Sequence, residues 1–239
     1  YKGFYMNLEI CPKVVFKKLV CLIVILLFLN ILGLISKFYF GHDHVYGLVS
    51  LFDFDTEQNI PTFYSATAIL CSSLLLFFIT FTHKSNGCRY LGWMGLAVIF
   101  LFLSIDEISS IHERLTKLVR PLLDTSGLLF SAWVIPYGLA VIVFVAAYLR
   151  FLIRLPKNIM FLFILSGMIF VLGAVGLELL EGNHYELHGS ADVTFAVFYT
   201  IEEFMEMFGI VLFIYTLLSY IEGEFGSLSM RVNKSSVEN

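Results

Sequence analysis

Charge is the first thing this sequence lacks. Only 14% of its 239 residues are Asp, Glu, Lys or Arg, against roughly 25% in an ordinary soluble domain, while 59% are hydrophobic. A soluble monomer is therefore excluded. Basic residues are scarcer than acidic ones, 15 against 19, so no basic patch is available to follow a phosphate backbone, and nucleic acid is not an expected partner. There are only four cysteines, Cys11, Cys21, Cys71 and Cys88, too few and too dispersed for a disulfide framework, an iron–sulfur cluster or a thiolate copper site. A glycine-rich phosphate loop, a serine nucleophile elbow and a haem-attachment motif are all missing.

What is present is apolar length. At about 20 apolar residues per bilayer crossing, the chain reads as an all-α, polytopic membrane helix bundle with six spans, near 14–38, 59–82, 90–112, 128–149, 158–181 and 192–220. Residues 1–225 then form one transmembrane domain, and the polar, serine-rich stretch 226–239 reads as a disordered cytoplasmic tail. Lys13, Lys17 and Lys18 lead into the first span as in a signal peptide. Its apolar run is too long, however, and Ser36-Lys37-Phe38-Tyr39-Phe40 has no small-residue cleavage site, so it reads as a retained anchor. With both termini in the cytoplasm, 11 of the 15 Lys and Arg fall on the inner side, as the positive-inside rule requires. The expected location is a bacterial inner membrane. The cysteines fall in spans or on the inner side, where they read as small buried hydrophobes or idle thiols.

The other ionisable groups are sorted unevenly by this topology. His42, His44, His112, His184 and His188 lie on the outer side, and His83 alone inside; 15 of the 19 acids also lie in the outer half. Depth sharpens the picture. At about 1.5 Å per residue, Asp106 lies roughly 24 Å along the third span, and Glu202 and Glu206 roughly 15 and 21 Å along the sixth, inside a hydrocarbon core of about 30 Å. An ionised acid there costs about 2.5–3.5 kcal/mol even on the lenient insertion scale. Such groups must face protein, water or a cation, or carry protons. Helical phase puts Asp192, Tyr199, Glu202 and Glu206 in one arc of about 80°, with Phe195 among them. Asp106, Ser109, Ser110, Glu113 and Lys117 make a second stripe, and Glu178, Glu181, His184 and His188 a third. Three polar stripes on apolar helices predict one shared interior.

Carboxylates with a few imidazoles suit iron, manganese or zinc. Glu181 and His184 have the i, i+3 spacing that lets one helix grip a single ion, as in di-iron and di-manganese bundles. The chain has no second partner for that pattern, because Asp106 or Glu107 and His112 are too far apart in sequence. The predicted ligands are Glu107, His112, Glu178, Glu181, His184, His188, Glu202 and Glu206, holding one or two divalent ions, with Glu203 and Asp106 as catalytic carboxylates. The remaining features read more plainly. Glu113, Arg114, Lys117 and Arg120 form an interfacial amphipathic segment before Pro121. His42, His44, Asp53, Asp55 and Glu57 are solvated loop residues. Trp93, Trp133 and Tyr137 have lipid-facing or interfacial roles, and Pro136 and the glycines of the fourth and fifth spans relieve packing.

The function these residues favour is a membrane-embedded metalloenzyme, an oxidoreductase or hydrolase acting on a lipid-like or quinone-like molecule that enters sideways from the bilayer. Two other functions fit the same residues. One is a proton- or cation-coupled carrier, which the absence of ionisable groups from Leu91 to Leu103 opposes. The other is a non-catalytic subunit of a larger membrane complex.

Overall fold

A computed structural model describes residues 6–9, 11–226 and 229–232. Six helices in it are long and apolar enough to cross a membrane: α1 (Pro12–Phe38), α3 (Ile60–Ser85), α4 (Leu91–Ser109), α6 (Val134–Leu152), the continuous rod formed by α7 (Lys157–Val171) and α8 (Glu178–His188), and α9 (Val193–Phe225). Two shorter helices, α2 (Leu48–Phe52) and α5 (Ile111–Leu123), lie between them. Strand β1 (Met6–Glu9) pairs antiparallel with β2 (Ser229–Val232), bringing the two ends of the described chain side by side. The tail expected at 226–239 otherwise lies mostly outside the described residues.

Local chemistry sets the helix ends. Pro12 opens α1 at a position where its missing N–H costs nothing. Asn59 caps α3 through the Thr62 N–H, and Asp192 caps α9 through the Thr194 N–H. The third span stops at Ser109, three residues earlier than expected, because Ser110 adopts the left-handed conformation (φ 49°, ψ 47°) and redirects the chain into α5. That helix carries Glu113, Arg114, Lys117 and Arg120 and buries none of its residues completely, as an amphipathic surface helix should. The fifth span runs on past Gly182-Asn183 to His188. Between α7 and α8 the rod widens into a π-helical segment, Leu172–Leu177, a local register change that often accompanies function.

The centre of the bundle is α9, whose buried residues run from Phe195 to Ile221. It packs on α1, α3, α7 and α8. Glycines allow the closest approaches. A Cβ on Gly209 would sit 2.9 Å from the backbone nitrogen of Phe170, and one on Gly173 would sit 3.0 Å from the Glu202 carbonyl oxygen. Between α3 and α4, Ser73 donates to the Ala97 carbonyl (2.8 Å) and Ser104 to the Ala66 carbonyl (2.8 Å), the small-residue packing that holds helices together in lipid. Leu76, Leu96, Trp93, Phe213 and Leu217 fill the core between α3, α4 and α9.

Helix α6 behaves differently. Val134 is its sole buried residue among those described, and its backbone keeps its distance from α4, α7 and α9. It is pinned near its ends: the Tyr137 hydroxyl donates to Asp106 (2.8 Å) and the Tyr148 hydroxyl to the Gly92 carbonyl (3.2 Å).

Two sequence expectations need correction. All four cysteines are free and exposed, so they are unpaired thiols and not small buried hydrophobes. Trp93 and Trp133 are buried, at 3% and 6% exposure. Trp93 stacks among His83, Tyr220 and Phe151, and Trp133 between His112 and Tyr137; aromatic partners within the protein outbid the interface for both.

Candidate functional site

A cavity of about 1230 Å³ runs between α4, α5, α6, the α7–α8 rod and α9. Part of each polar stripe meets on it: Tyr199, Glu202 and Glu206 from the first, Asp106, Glu113 and Lys117 from the second, and Glu178 and Glu181 from the third. Its wall holds ten carboxylates: Asp55, Glu57, Asp106, Glu107, Glu113, Glu178, Glu181, Glu202, Glu203 and Glu206. Against these stand only His112, Lys117 and Arg120. Beyond the acids the wall turns apolar, with Phe100, Phe144, Phe163, Phe170 and Phe213 lining a passage toward the middle of the bundle. The cavity is therefore amphiphilic, with an acidic chamber at the α5 end and an aromatic channel leading away from it.

The tightest acidic group is Glu178, Glu181 and Glu202. One ligand oxygen from each lies within 4.8 Å of the other two. Glu178 and Glu181 are one turn apart at the start of α8, directly after the π segment, and Glu202 comes from the facing turn of α9. Close approach of the two helices at Gly173 makes the meeting possible. Glu202 is only 7% exposed, and the Oε2 atoms of Glu181 and Glu202 are buried without a hydrogen-bond partner. Three carboxylates this close repel one another strongly in a medium of low dielectric unless a cation or protons lie among them. Oxygen-only donors at this spacing match the demands of a hard or borderline divalent ion.

Asp106 organises a second group at the α4–α5 corner. It is 4% exposed. Its Oδ1 accepts from the His112 backbone N–H (2.9 Å) and faces His112 Nδ1 (3.4 Å), while Oδ2 accepts from the Tyr137 hydroxyl (2.8 Å). Both oxygens are thus committed to positioning neighbours. The other ring nitrogen of His112 points at Glu57 (3.9 Å) and Glu113 (4.0 Å). Burial alone would lower the His112 pKa, but the hydrogen bond and charge of Asp106, helped by Glu113 and Glu57, outweigh it and hold it at about 9. Burial pushes Glu57 and Glu113 upward, Glu113 further through the charge of Glu178. Asp55 is pushed up by burial and by its neighbour Asp53.

Glu107, Glu203 and Glu206, predicted from the sequence, face this same cavity. His184 and His188 are not among its lining residues. His184 Nε2 meets the Asp192 carboxylate at 2.6 Å and its ring stacks on His188 at 4.5 Å between centroids. That hydrogen bond holds the Asp192 carboxyl below its usual range. The physical reason is local: the last turn of α8 closes onto the residue that caps α9, so His184 is used in the α8–α9 corner, and the one-turn pair that faces the cavity is Glu178 with Glu181.

The sequence reading missed several residues here. Asp55 and Glu57, read as solvated loop, stand at the chamber wall. Their loop is drawn inward by Asn30 of α1, whose Oδ1 accepts from the Phe54 N–H (3.1 Å) and whose Nδ2 donates to Thr200 (3.0 Å). Neighbouring Asp53 is 7% exposed and lies 3.8 Å from Lys37. An asparagine in the middle of an apolar span was the available signal. Tyr137, Trp133 and Tyr199 also line the cavity, and of these only Tyr199 shared a predicted stripe.

The comparison with curated proteins finds no match, and neither does the comparison with solved structures. A family model described as a domain of unknown function, DUF8692, matches residues 19–221, a range that contains every cavity-lining residue. The chain belongs to the DUF8692 family.

Proposed function

We propose that this protein is a membrane-embedded metalloenzyme whose acidic chamber binds one or two divalent ions, iron, manganese or zinc, near the outer membrane face, and which acts as an oxidoreductase or hydrolase on a lipid-like or quinone-like substrate. The observation that carries the reading is the trio of Glu178, Glu181 and Glu202. Its carboxylate oxygens lie within 4.8 Å of one another, two of them are buried without partners, and they open onto a cavity that continues into an aromatic channel.

In this reading Glu178, Glu181 and Glu202 are the primary ligands, and Glu206 and Glu107 are further oxygen donors on the same wall. A bound ion would supply Lewis acidity or electron transfer. Glu203 is the general base, since it faces the cavity and has no hydrogen bond committing it elsewhere among the described residues. Asp106 orients His112 and Tyr137, and His112, held protonated beside Asp106, is the proton donor at the chamber wall. The carrier alternative has less support. A path across the bilayer would have to continue beyond the cavity through the end of the bundle filled by Trp93, Phe151 and Tyr220, where His83 is buried and bonded to the Tyr220 hydroxyl at 2.8 Å.

Elemental analysis of the purified full-length protein tests the proposal. Stoichiometric iron, manganese or zinc is expected, lost in Glu181→Ala and in Glu202→Ala and retained in His184→Ala, which touches only the α8–α9 corner. Protein purified without metal, and unable to take up added ions, would overturn it.

A further inference from the structure

Beside the acids, the cavity carries donors from which no group among the described residues accepts, one of them, the Trp133 indole N–H, buried. Lys117 and Arg120 line it together with ten carboxylates, yet neither lies within 4.0 Å of an acidic oxygen among the described residues; the only lysine so placed is Lys37, on Asp53. Arg120 instead lays its guanidinium over the Phe130 ring at 3.6 Å, which leaves its N–H edge free. Trp133 is 94% buried, being 6% exposed, and its indole Nε1 has no hydrogen-bond partner. An indole N–H can only donate, and leaving it unpaired in an apolar setting costs about 1–3 kcal/mol. These groups are close in the fold, because Thr116 of α5 accepts from the Trp133 backbone N–H (3.3 Å) and Phe130 is three residues from Trp133.

The donors sit at one end of a passage whose other end is lined by Phe144, Phe163 and Phe213. Gly167 also lines this passage, and a Cβ built on it meets nothing within 4 Å. From these observations we propose that the cavity binds a long-chain amphiphile with an oxyanion head, a carboxylate or a phosphate, whose head is held by Lys117, Arg120 and the Trp133 N–H and whose tail lies in the aromatic channel past Gly167. Its role as substrate rests on the metalloenzyme reading; its binding rests on the cavity alone. The carboxylate excess does not forbid an anion, because the cations stand on α5 and the trio on α8 and α9, and an ion among the acids removes charge from their side. A neutral alcohol of the same length would fill the channel and could accept one hydrogen bond, but it would leave the charges of Lys117 and Arg120 without a counter-ion.

The test uses full-length protein in phosphatidylcholine nanodiscs and measures equilibrium binding of oleate, oleyl phosphate and oleyl alcohol, three probes with one chain and different heads. At least one of the two anions is expected to bind about tenfold tighter than the alcohol, the worth of one charge-assisted hydrogen bond, and which anion wins identifies the head. In the double variant Lys117→Gln/Arg120→Gln that preference should fall to near unity while alcohol binding is unchanged. Gly167→Leu, which fills the open space, should weaken all three probes. Equal binding of anions and alcohol by the native protein, a preference that survives the double variant, or indifference to Gly167→Leu would each overturn the proposal. Metal content measured on the same samples keeps the two readings apart: metal-free protein that still prefers the anion sinks the metalloenzyme alone, and metal-loaded protein without preference sinks this inference alone.

Discussion

Replacing Asp106 by Asn isolates the electrostatics of the α4–α5 corner. His112 is mostly buried, with 18% of its side chain exposed, and is nevertheless held at about 9, where a free histidine titrates near 6.5. A folded value above the unfolded one means that folding favours the protonated ring. The group therefore stabilises the fold fully below about pH 6.5, and the contribution disappears as pH rises through about 9. At 1.36 kcal/mol per pH decade the contribution is on the order of 3 kcal/mol, an upper figure because Glu57 and Glu113 shift with it. Asn keeps an acceptor for the His112 backbone N–H and removes the charge. Burial then prevails, and the His112 pKa should fall below about 7. Ring-carbon NMR of labelled histidine, assigned with His112→Gln, reads the pKa directly. Thermal unfolding of the native protein compared with His112→Gln should show a gap that is widest near pH 6 and closed by about pH 9.5, and Asp106→Asn should flatten it. A gap that widens as pH rises, or a His112 pKa that stays near 9 in Asp106→Asn, would refute the reasoning.

Other consequences follow from single contacts. In metal-stripped protein Glu202→Gln should melt higher than native, because it removes one of three repelling carboxylates, whereas with metal at about 100 times Kd the native protein should gain about 2.7 kcal/mol that the variant lacks; the reverse order of melting points would contradict the trio as a cation site. Gly209→Val should cost at least about 2 kcal/mol in reversible unfolding, since its Cβ meets the Phe170 backbone at 2.9 Å and backbone cannot step aside, while Gly138→Ala, with open space around it, should be near neutral. Asn30→Leu strands the buried Phe54 N–H at about 1–3 kcal/mol and should raise proteolysis or hydrogen exchange in residues 53–59, and an unchanged loop would show that Asn30 does not hold it.

The helices were legible in the sequence because lipid demands long apolar runs with internally satisfied backbones, and six such runs are hard to misread. The convergence of polar stripes was legible for the same reason: Asp106, Glu178, Glu181, Glu202 and Glu206 are too costly in lipid to face anything except one another's space. Three things were not. A helical-wheel projection assumes 3.6 residues per turn throughout, and the π segment Leu172–Leu177 breaks that assumption just before Glu178. The partner of His184 depends on a corner between two helices, and Asp192 looked from the sequence like part of a stripe when it is an N-cap. The loop 53–59 looked solvated because three acids, Asp53, Asp55 and Glu57, crowd one short connection; Asn30, 24 residues upstream of Phe54, draws it against the chamber.

Packing also decides which part of the site can open. Moving α8 or α9 would break the Gly209–Phe170 and Gly173–Glu202 approaches and expose the buried face of α9. Moving α6 disturbs less, since Val134 alone is fully buried on it, and what resists is the packing of Phe144, Tyr148 and Phe151 on the core together with two tyrosine hydrogen bonds near its ends. A tail entering the aromatic channel should therefore pass beside α6. Tyr148→Phe removes one pin at a cost of about 1 kcal/mol, which corresponds to about a fivefold larger open population. Hydrogen exchange of α6 amides in nanodiscs should accelerate about fivefold in that variant while α9 amides keep their native rates. Acceleration spread evenly over all six long helices would mean that Tyr148 supports the whole bundle, and entry would have to be sought elsewhere.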